Sequence, residues 1–100
     1  MLARVARYQV PPERCDDALK AFGDASRTIA EMDGLEGGYI FVDSESGTML
    51  TVTVWRDQPT LDASEVRAAS MRQRAAREVD GEVQSVWIFD VVRNFGDGVP

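Results

Sequence analysis

Apolar and polar positions along the chain switch between two periods, and the switches mark six elements. Leu2 to Val10 alternates on a short period and predicts a strand. Pro11 and Pro12 close it, because proline cannot donate to a sheet ladder yet suits a helix start. Glu13, Asp16 and Asp17 then put negative charge where the helix dipole favours it. Cys15, Ala18, Leu19, Phe22, Ala25, Ile29 and Met32 recur at helical spacing and form one stripe, with Gly34 as the stop. Gly38 to Asp43 and Thr48 to Arg56 are β-rich runs separated by the turn residues 43–47. Asp57 to Thr60 opens a second helix, with Asp57 or Thr60 as cap and Pro59 in the first turn; it runs to about Val79 and stops at Asp80-Gly81. Val83 to Val92 is the last strand, and residues 94–100 read as a frayed tail.

The order β-α-β-β-α-β predicts an α+β, ferredoxin-like domain over residues 1–93, a four-stranded antiparallel sheet with both helices on one face. Strand alternation separates Tyr39 and Phe41 from Ile40 and Val42. It separates Met49 and Trp55 from Leu50, Val52 and Val54. It sets Val83, Trp87, Phe89 and Val91 against Val86, Ile88 and Val92. Both faces are therefore apolar, whereas a sheet with one face in water should alternate apolar with polar. No third helix exists to cover the second face. The simplest cover is a second copy of the chain, sheet against sheet about a two-fold axis.

Composition narrows the chemistry. The chain has 100 residues, 44% of them apolar, which suits one domain with a thin core. Its net charge of −6 disfavours nucleic acid as a partner. No apolar run approaches the roughly 18–20 residues of a membrane helix, and the first residues show no secretory apolar region. A single cysteine, Cys15, fits a reducing compartment, so a cytoplasmic location is expected. Histidine is absent, which removes the commonest metal ligand and general base. Phosphate loops, nucleotide fingerprints and Ser-His-Asp sets are also missing, and adjacent Asp16 and Asp17 diverge on a helix. No cofactor or metal is expected from the residues.

Three features carry a resemblance: the element order, the run Gly34-Leu35-Glu36-Gly37-Gly38 before the second strand, and Leu50-Thr-Val-Thr-Val-Trp55-Arg56-Asp57. Over residues 1 to about 92 the chain resembles antibiotic biosynthesis monooxygenase-like domains of the dimeric α+β barrel superfamily. The resemblance implies a homodimer joined through its sheet faces, with a pocket in each subunit between sheet and helices. It also implies cofactor-independent oxidation of a polycyclic aromatic substrate or, in other members, haem degradation. Haem-degrading members carry an iron-ligating histidine in the second helix, and this chain has none. They also carry an asparagine near the end of the first strand, where Arg7 stands here. Anthrone-oxidising members have an asparagine four residues before the strand-end tryptophan, where Thr51 stands here. Trp55 matches that tryptophan, and Arg72 or Arg74 lies near their helix arginine.

Four residues are candidates for chemistry. Trp55 can stack on a planar substrate and offer its indole N–H to an oxyanion, or it can be a core side chain, as aromatics in small domains usually are. In the second helix Leu61, Ala68 and Ala75 form the inner stripe, with Glu65, Arg72 and Val79 beside them. Small alanines flanked by charges suggest a cavity in which Arg72 fixes a phenolate, enolate or carboxylate and Glu65 acts as base. The same pattern also suits two charges reaching to solvent from a close-packed helix. Tyr39, like Tyr8, can donate a hydrogen bond or relay a proton. Arg67, Arg74 and Arg77 fall on another side and read as a solvated face. Arg4, Arg7, Gln9 and Asp90 are polar within apolar strands and need partners, Arg7 with Asp90 being one such pair. The expected function is a monooxygenase-like protein that binds a small aromatic or polyketide-like molecule. A non-enzymatic binding barrel, or an isomerase or lyase of a related barrel family, are the alternatives.

Overall fold

The computed structural model describes residues 1–96. Its elements are β1 (Leu2–Gln9), a 3-10 turn (Pro12–Arg14), α1 (Cys15–Ile29), β2 (Leu35–Asp43), β3 (Thr48–Trp55), α2 (Gln58–Glu78) and β4 (Glu82–Asp90). The strands form one antiparallel sheet in the order β2-β3-β1-β4. This is the ferredoxin-like βαββαβ arrangement that the element order predicts. Residues 91–96 belong to no helix or strand, and the rest of the expected tail, residues 97–100, lies outside the described residues. Among the described residues no helix is long and apolar enough to cross a membrane.

Cross-strand register fixes the two faces. Tyr8 pairs with Met49, Ala6 with Thr51, Arg4 with Thr53 and Leu2 with Trp55, and Ile40 pairs with Thr51. Tyr8, Ala6, Met49 and Trp55 are buried beneath the helices. The opposite face carries Val5, paired with both Val52 and Trp87, and Ala3, paired with Phe89. Tyr39 pairs with Val52 and Phe41 with Leu50, so both belong to that second face. One expectation fails at β4. Strict alternation groups Val83 with Trp87 and Phe89, but Val83 pairs with Tyr8 while Ser85 pairs with Arg7. The bulge at Gln84 adds one residue and inverts the parity, so Val83 packs against the core on the helix side.

The core fills one end of the space under the helices. Val10, Cys15, Ala18, Phe22, Met49, Ala75, Ala76 and Val79 meet there, with the Tyr8 and Phe22 rings 4.6 Å apart at 60°. Ala75 and Ala76 let α2 approach the sheet closely at that end. The α1 stripe continues beyond Phe22, but Ala25 and Ile29 meet no packed core and line a cavity instead.

The turns around that cavity have local causes. Gly34 sits at φ 86°, and a Cβ there would collide with the Thr60 side chain, so glycine is required on two counts. Asp57 caps α2 by accepting from the Thr60 N–H at 3.0 Å and from its hydroxyl at 2.8 Å. After α2, Asp80 adopts φ 58° and the Gly81 N–H donates to the Ala76 carbonyl at 2.8 Å, which ends the helix.

Candidate functional site

A cavity of about 450 Å³ lies between α1, α2 and the β1–β3–β2 part of the sheet. That volume falls in the range of small-molecule sites. Most of its wall is apolar: Phe22, Ala25 and Ile29 from α1, Ile40 from β2, Ala68 and Met71 from α2. Its polar contributors are Arg4, Tyr8, Ser26, Tyr39, Thr51, Thr53 and Arg72.

Arg4 is the least expected of these. It projects from β1 towards α2 and is only 3% exposed. Its Nη2 donates to the Leu61 carbonyl and the Ser64 hydroxyl, both at 3.1 Å, and lies 2.7 Å from Glu65 Oε2. Its guanidinium stands 5.4 Å from the Trp55 ring centroid, within cation–π range. Its Nε is buried with no hydrogen-bond partner among the described residues. Burial pulls the Arg4 pKa below its ordinary value; Glu65 opposes that pull and the nearby Arg72 charge reinforces it.

Arg72 reaches the same place from the next turns of α2. Its Nη2 donates to Glu65 Oε1 at 3.1 Å, and its side chain is 10% exposed. Glu65 therefore bridges two guanidiniums, one oxygen to each, while its own side chain stays half-exposed. Tyr8 completes the polar end, its hydroxyl 2.8 Å from Thr51 Oγ1. Burial raises the Tyr8 pKa, against weaker lowering by the Thr51 bond and the two arginine charges. At neutral pH this phenol is a hydrogen-bond donor and not a base.

The four candidate residues separate into two groups. Arg72 and Glu65 come together with Arg4. Trp55 is fully buried beneath Arg4, is not part of the cavity wall, and donates its indole N–H to Thr53 Oγ1 at 2.9 Å. Tyr39 pairs with Val52 and stacks its ring on Phe41 at 5.7 Å on the sheet face away from the helices, and the residue also borders the cavity where β2 passes it at Gly37–Ile40. Arg7 and Asp90 do not pair: Arg7 lies opposite Ser85, Asp90 lies opposite Leu2, and both are exposed. Arg67, Arg74 and Arg77 are exposed on α2, and Cys15 is a free, buried thiol. Among the described residues no cluster of three His, Cys, Asp or Glu side chains could hold a metal ion.

Arg4 was detectable in principle. Strand parity puts it on the same side as Tyr8 and Val10, whereas Arg7 and Gln9 point the other way. An arginine in line with core residues calls for an internal partner. Its acceptors on α2 lie about 60 residues away, a separation that strand pattern cannot bridge.

Comparison with known proteins agrees with this architecture. The family model "Antibiotic biosynthesis monooxygenase" matches residues 1–78. A Deinococcus radiodurans protein provisionally assigned as an antibiotic biosynthesis monooxygenase superimposes with a TM-score of 0.78 at 10% identity, covering 96% of this chain and 97% of that one. SnoaB, a cofactor-independent oxygenase from Streptomyces nogalater, gives 0.73 at 13% identity, covering 96% and 97%. A mutant of MhuD with two manganese protoporphyrin IX molecules bound per active site gives 0.73 at 18%, covering 96% and 99%. At such identities the likeness is one of fold. No curated protein matches the sequence.

Proposed function

We propose, because the chain belongs to the antibiotic biosynthesis monooxygenase family, that its cavity binds a small aromatic or polyketide-like molecule and serves a cofactor-independent oxidation. The observation that carries this reading is the cavity: an apolar chamber of about 450 Å³ with Arg4, Arg72 and Tyr8 at one end. Such a chamber suits a flat apolar body with one oxygenated edge. Arg72 meets the ligand directly, and Glu65 acts through the two arginines it bridges. Trp55 supports Arg4 from below. Tyr39 belongs to the subunit interface on this reading, because it shares the outer sheet face with Phe41, on which its ring stacks. The missing histidine sets the reading apart from haem chemistry.

The reaction that fits is oxidation of an activated methylene to a carbonyl. One dioxygen is consumed; one oxygen atom enters the product and the other leaves as water. The chain's part is to exclude water with Phe22, Ile29, Ile40 and Met71 and to hold the electron-rich form of the substrate against Arg4 and Arg72. Tyr8 donates a hydrogen bond to the same edge. The protein acts as a homodimer in the cytoplasm, two copies covering the apolar sheet faces.

One feature favours a second reading, a binding barrel without turnover. The carboxylate of Glu65 is engaged by two guanidiniums and is absent from the cavity wall, and burial keeps Tyr8 protonated, so among the described residues no free carboxylate lines the cavity. An oxygen electrode separates the two. A hydroxyanthrone that binds and accelerates oxygen uptake supports oxidation; binding without uptake supports the passive barrel. Arg72→Ala should weaken binding about ten-fold or more, the worth of one charge-assisted hydrogen bond. Arg77→Ala, on the exposed face, should leave it unchanged. Equal effects of the two substitutions would remove the cavity from the function.

A further inference from the structure

The polar end of the cavity carries an unbalanced positive charge. Arg4 and Arg72 supply two guanidiniums, and the one carboxylate in contact with them among the described residues is Glu65. The remaining charged or titratable neighbour of Arg4 is the neutral phenol of Tyr8. One net positive charge is therefore left at the polar end of a mostly apolar chamber. The hydrogen bonds are unbalanced in the same sense. Arg4 makes all its contacts to Leu61, Ser64 and Glu65 through Nη2, and its buried Nε has no partner among the described residues. Arg72 is bonded through Nη2 alone. An unpaired buried guanidinium N–H costs more than a half-made surface pair, so this arrangement favours an occupant that completes it.

We infer that the cavity selects ligands bearing a single carboxylate, held by Arg4 together with Arg72, with the apolar body lying over Phe22, Ile29 and Met71. Glu65 is absent from the cavity wall and grips both guanidiniums from outside. It is a positioning residue that cancels one of the two charges, which is why a monoanion is preferred over a dianion. Arg4 is the specificity residue: it stands on a strand and is braced by Trp55, Leu61 and Ser64, so it cannot follow a misplaced ligand.

This inference rests on the proposed ligand role of the cavity, and its test distinguishes the two. Anthracene-2-carboxylate and anthracene-2-carboxamide have nearly the same shape and fluorescence, and at neutral pH only the first is charged. Fluorescence titration of the intact protein should show the carboxylate binding at least ten-fold tighter than the amide. In Arg72→Gln the gap should fall several-fold, and in Arg4→Gln it should vanish. If Arg4→Gln does not fold by circular dichroism, the wild-type gap and Arg72→Gln decide the matter. Equal binding of both probes to the wild type would overturn the carboxylate preference and leave the aromatic cavity standing. Binding of neither would overturn both. An Arg72→Gln protein with an undiminished gap would also overturn the assignment.

Discussion

Burial raises the Tyr8 pKa above its ordinary value of 10.0, and the direction fixes a stability effect. The raised pKa means that the folded state holds its proton after the unfolded chain has released it. The stabilisation is complete below pH 10.0 and is lost as pH rises through the folded-state value. Thermal unfolding followed across alkaline pH should therefore show a falling limb that Tyr8→Phe flattens, with one of the chain's two tyrosines ionising late in the ultraviolet titration. A wild-type limb no steeper than that of Tyr8→Phe would contradict this. Residues at the site differ in how far sequence reveals them. Arg72 and Glu65 were legible because helical spacing puts them beside an alanine stripe. Trp55 was legible as a large strand-end aromatic, but pattern cannot tell a wall from the support behind it; that depended on Thr53 accepting its N–H and Arg4 lying over its ring. Tyr39 was ambiguous for a simpler reason. A tyrosine offers the same chemistry on either face, and only register against Val52 says which face it occupies.

Elements were more legible than sites, because period and punctuation are local. Both helices, all four strands and their order follow from spacing, from Pro11, Pro12 and Pro59, and from Asp80-Gly81, but α1 ends at Ile29, ahead of Met32 and the expected stop at Gly34, which instead forms the turn into β2. The bulge in β4 was not legible, since one added residue leaves composition unchanged while reversing every later side chain. Two predictions belong to this scale. Gly34→Ala imposes a left-handed backbone on a residue with a Cβ, worth about 1–2 kcal/mol, and drives that atom into Thr60. The total loss in denaturant unfolding should therefore exceed the backbone cost alone; a loss under about 0.5 kcal/mol, ordinary for a surface change, would show that the turn relaxes freely. Asp57→Ala removes the α2 cap. The Asp57 carboxyl is held below its ordinary range chiefly by the Thr60 N–H, so its contribution is present above the unfolded pKa and is lost as pH falls through the folded value. The variant should melt lower than wild type at neutral pH, and the two curves should converge in acid. A constant gap across that range would assign the loss to something other than the charged cap.

At the scale of the molecule, the sheet face away from the helices decides the state in solution. Phe41 is 50% exposed, Trp87 48% and Phe89 53%, and Tyr39 lies stacked beside Phe41. Contiguous apolar surface of this kind marks an interface rather than a wet wall. In the proposed homodimer a second copy related by a two-fold axis covers it with the same residues, so each substitution acts twice. Fully burying a phenylalanine is worth about 1.5–3 kcal/mol. Half of the Phe89 ring is already covered within the chain, so one copy forfeits roughly half of that amount and the symmetric pair about the whole. Phe89→Asp should accordingly raise the dimer dissociation constant by about ten- to a hundred-fold or more, with a further penalty for the buried carboxylate. Sedimentation should give twice the chain mass for the wild type and a shift towards monomer for Phe89→Asp at the same concentration. Val66→Asp, on the outer surface of α2 and 85% exposed, should leave the mass unchanged. A wild-type protein that sediments as a monomer at high concentration would require another cover for this face. The cavity lies on the other side of the sheet, so a monomeric Phe89→Asp that still binds the anthracene carboxylate would show that each subunit holds a complete site.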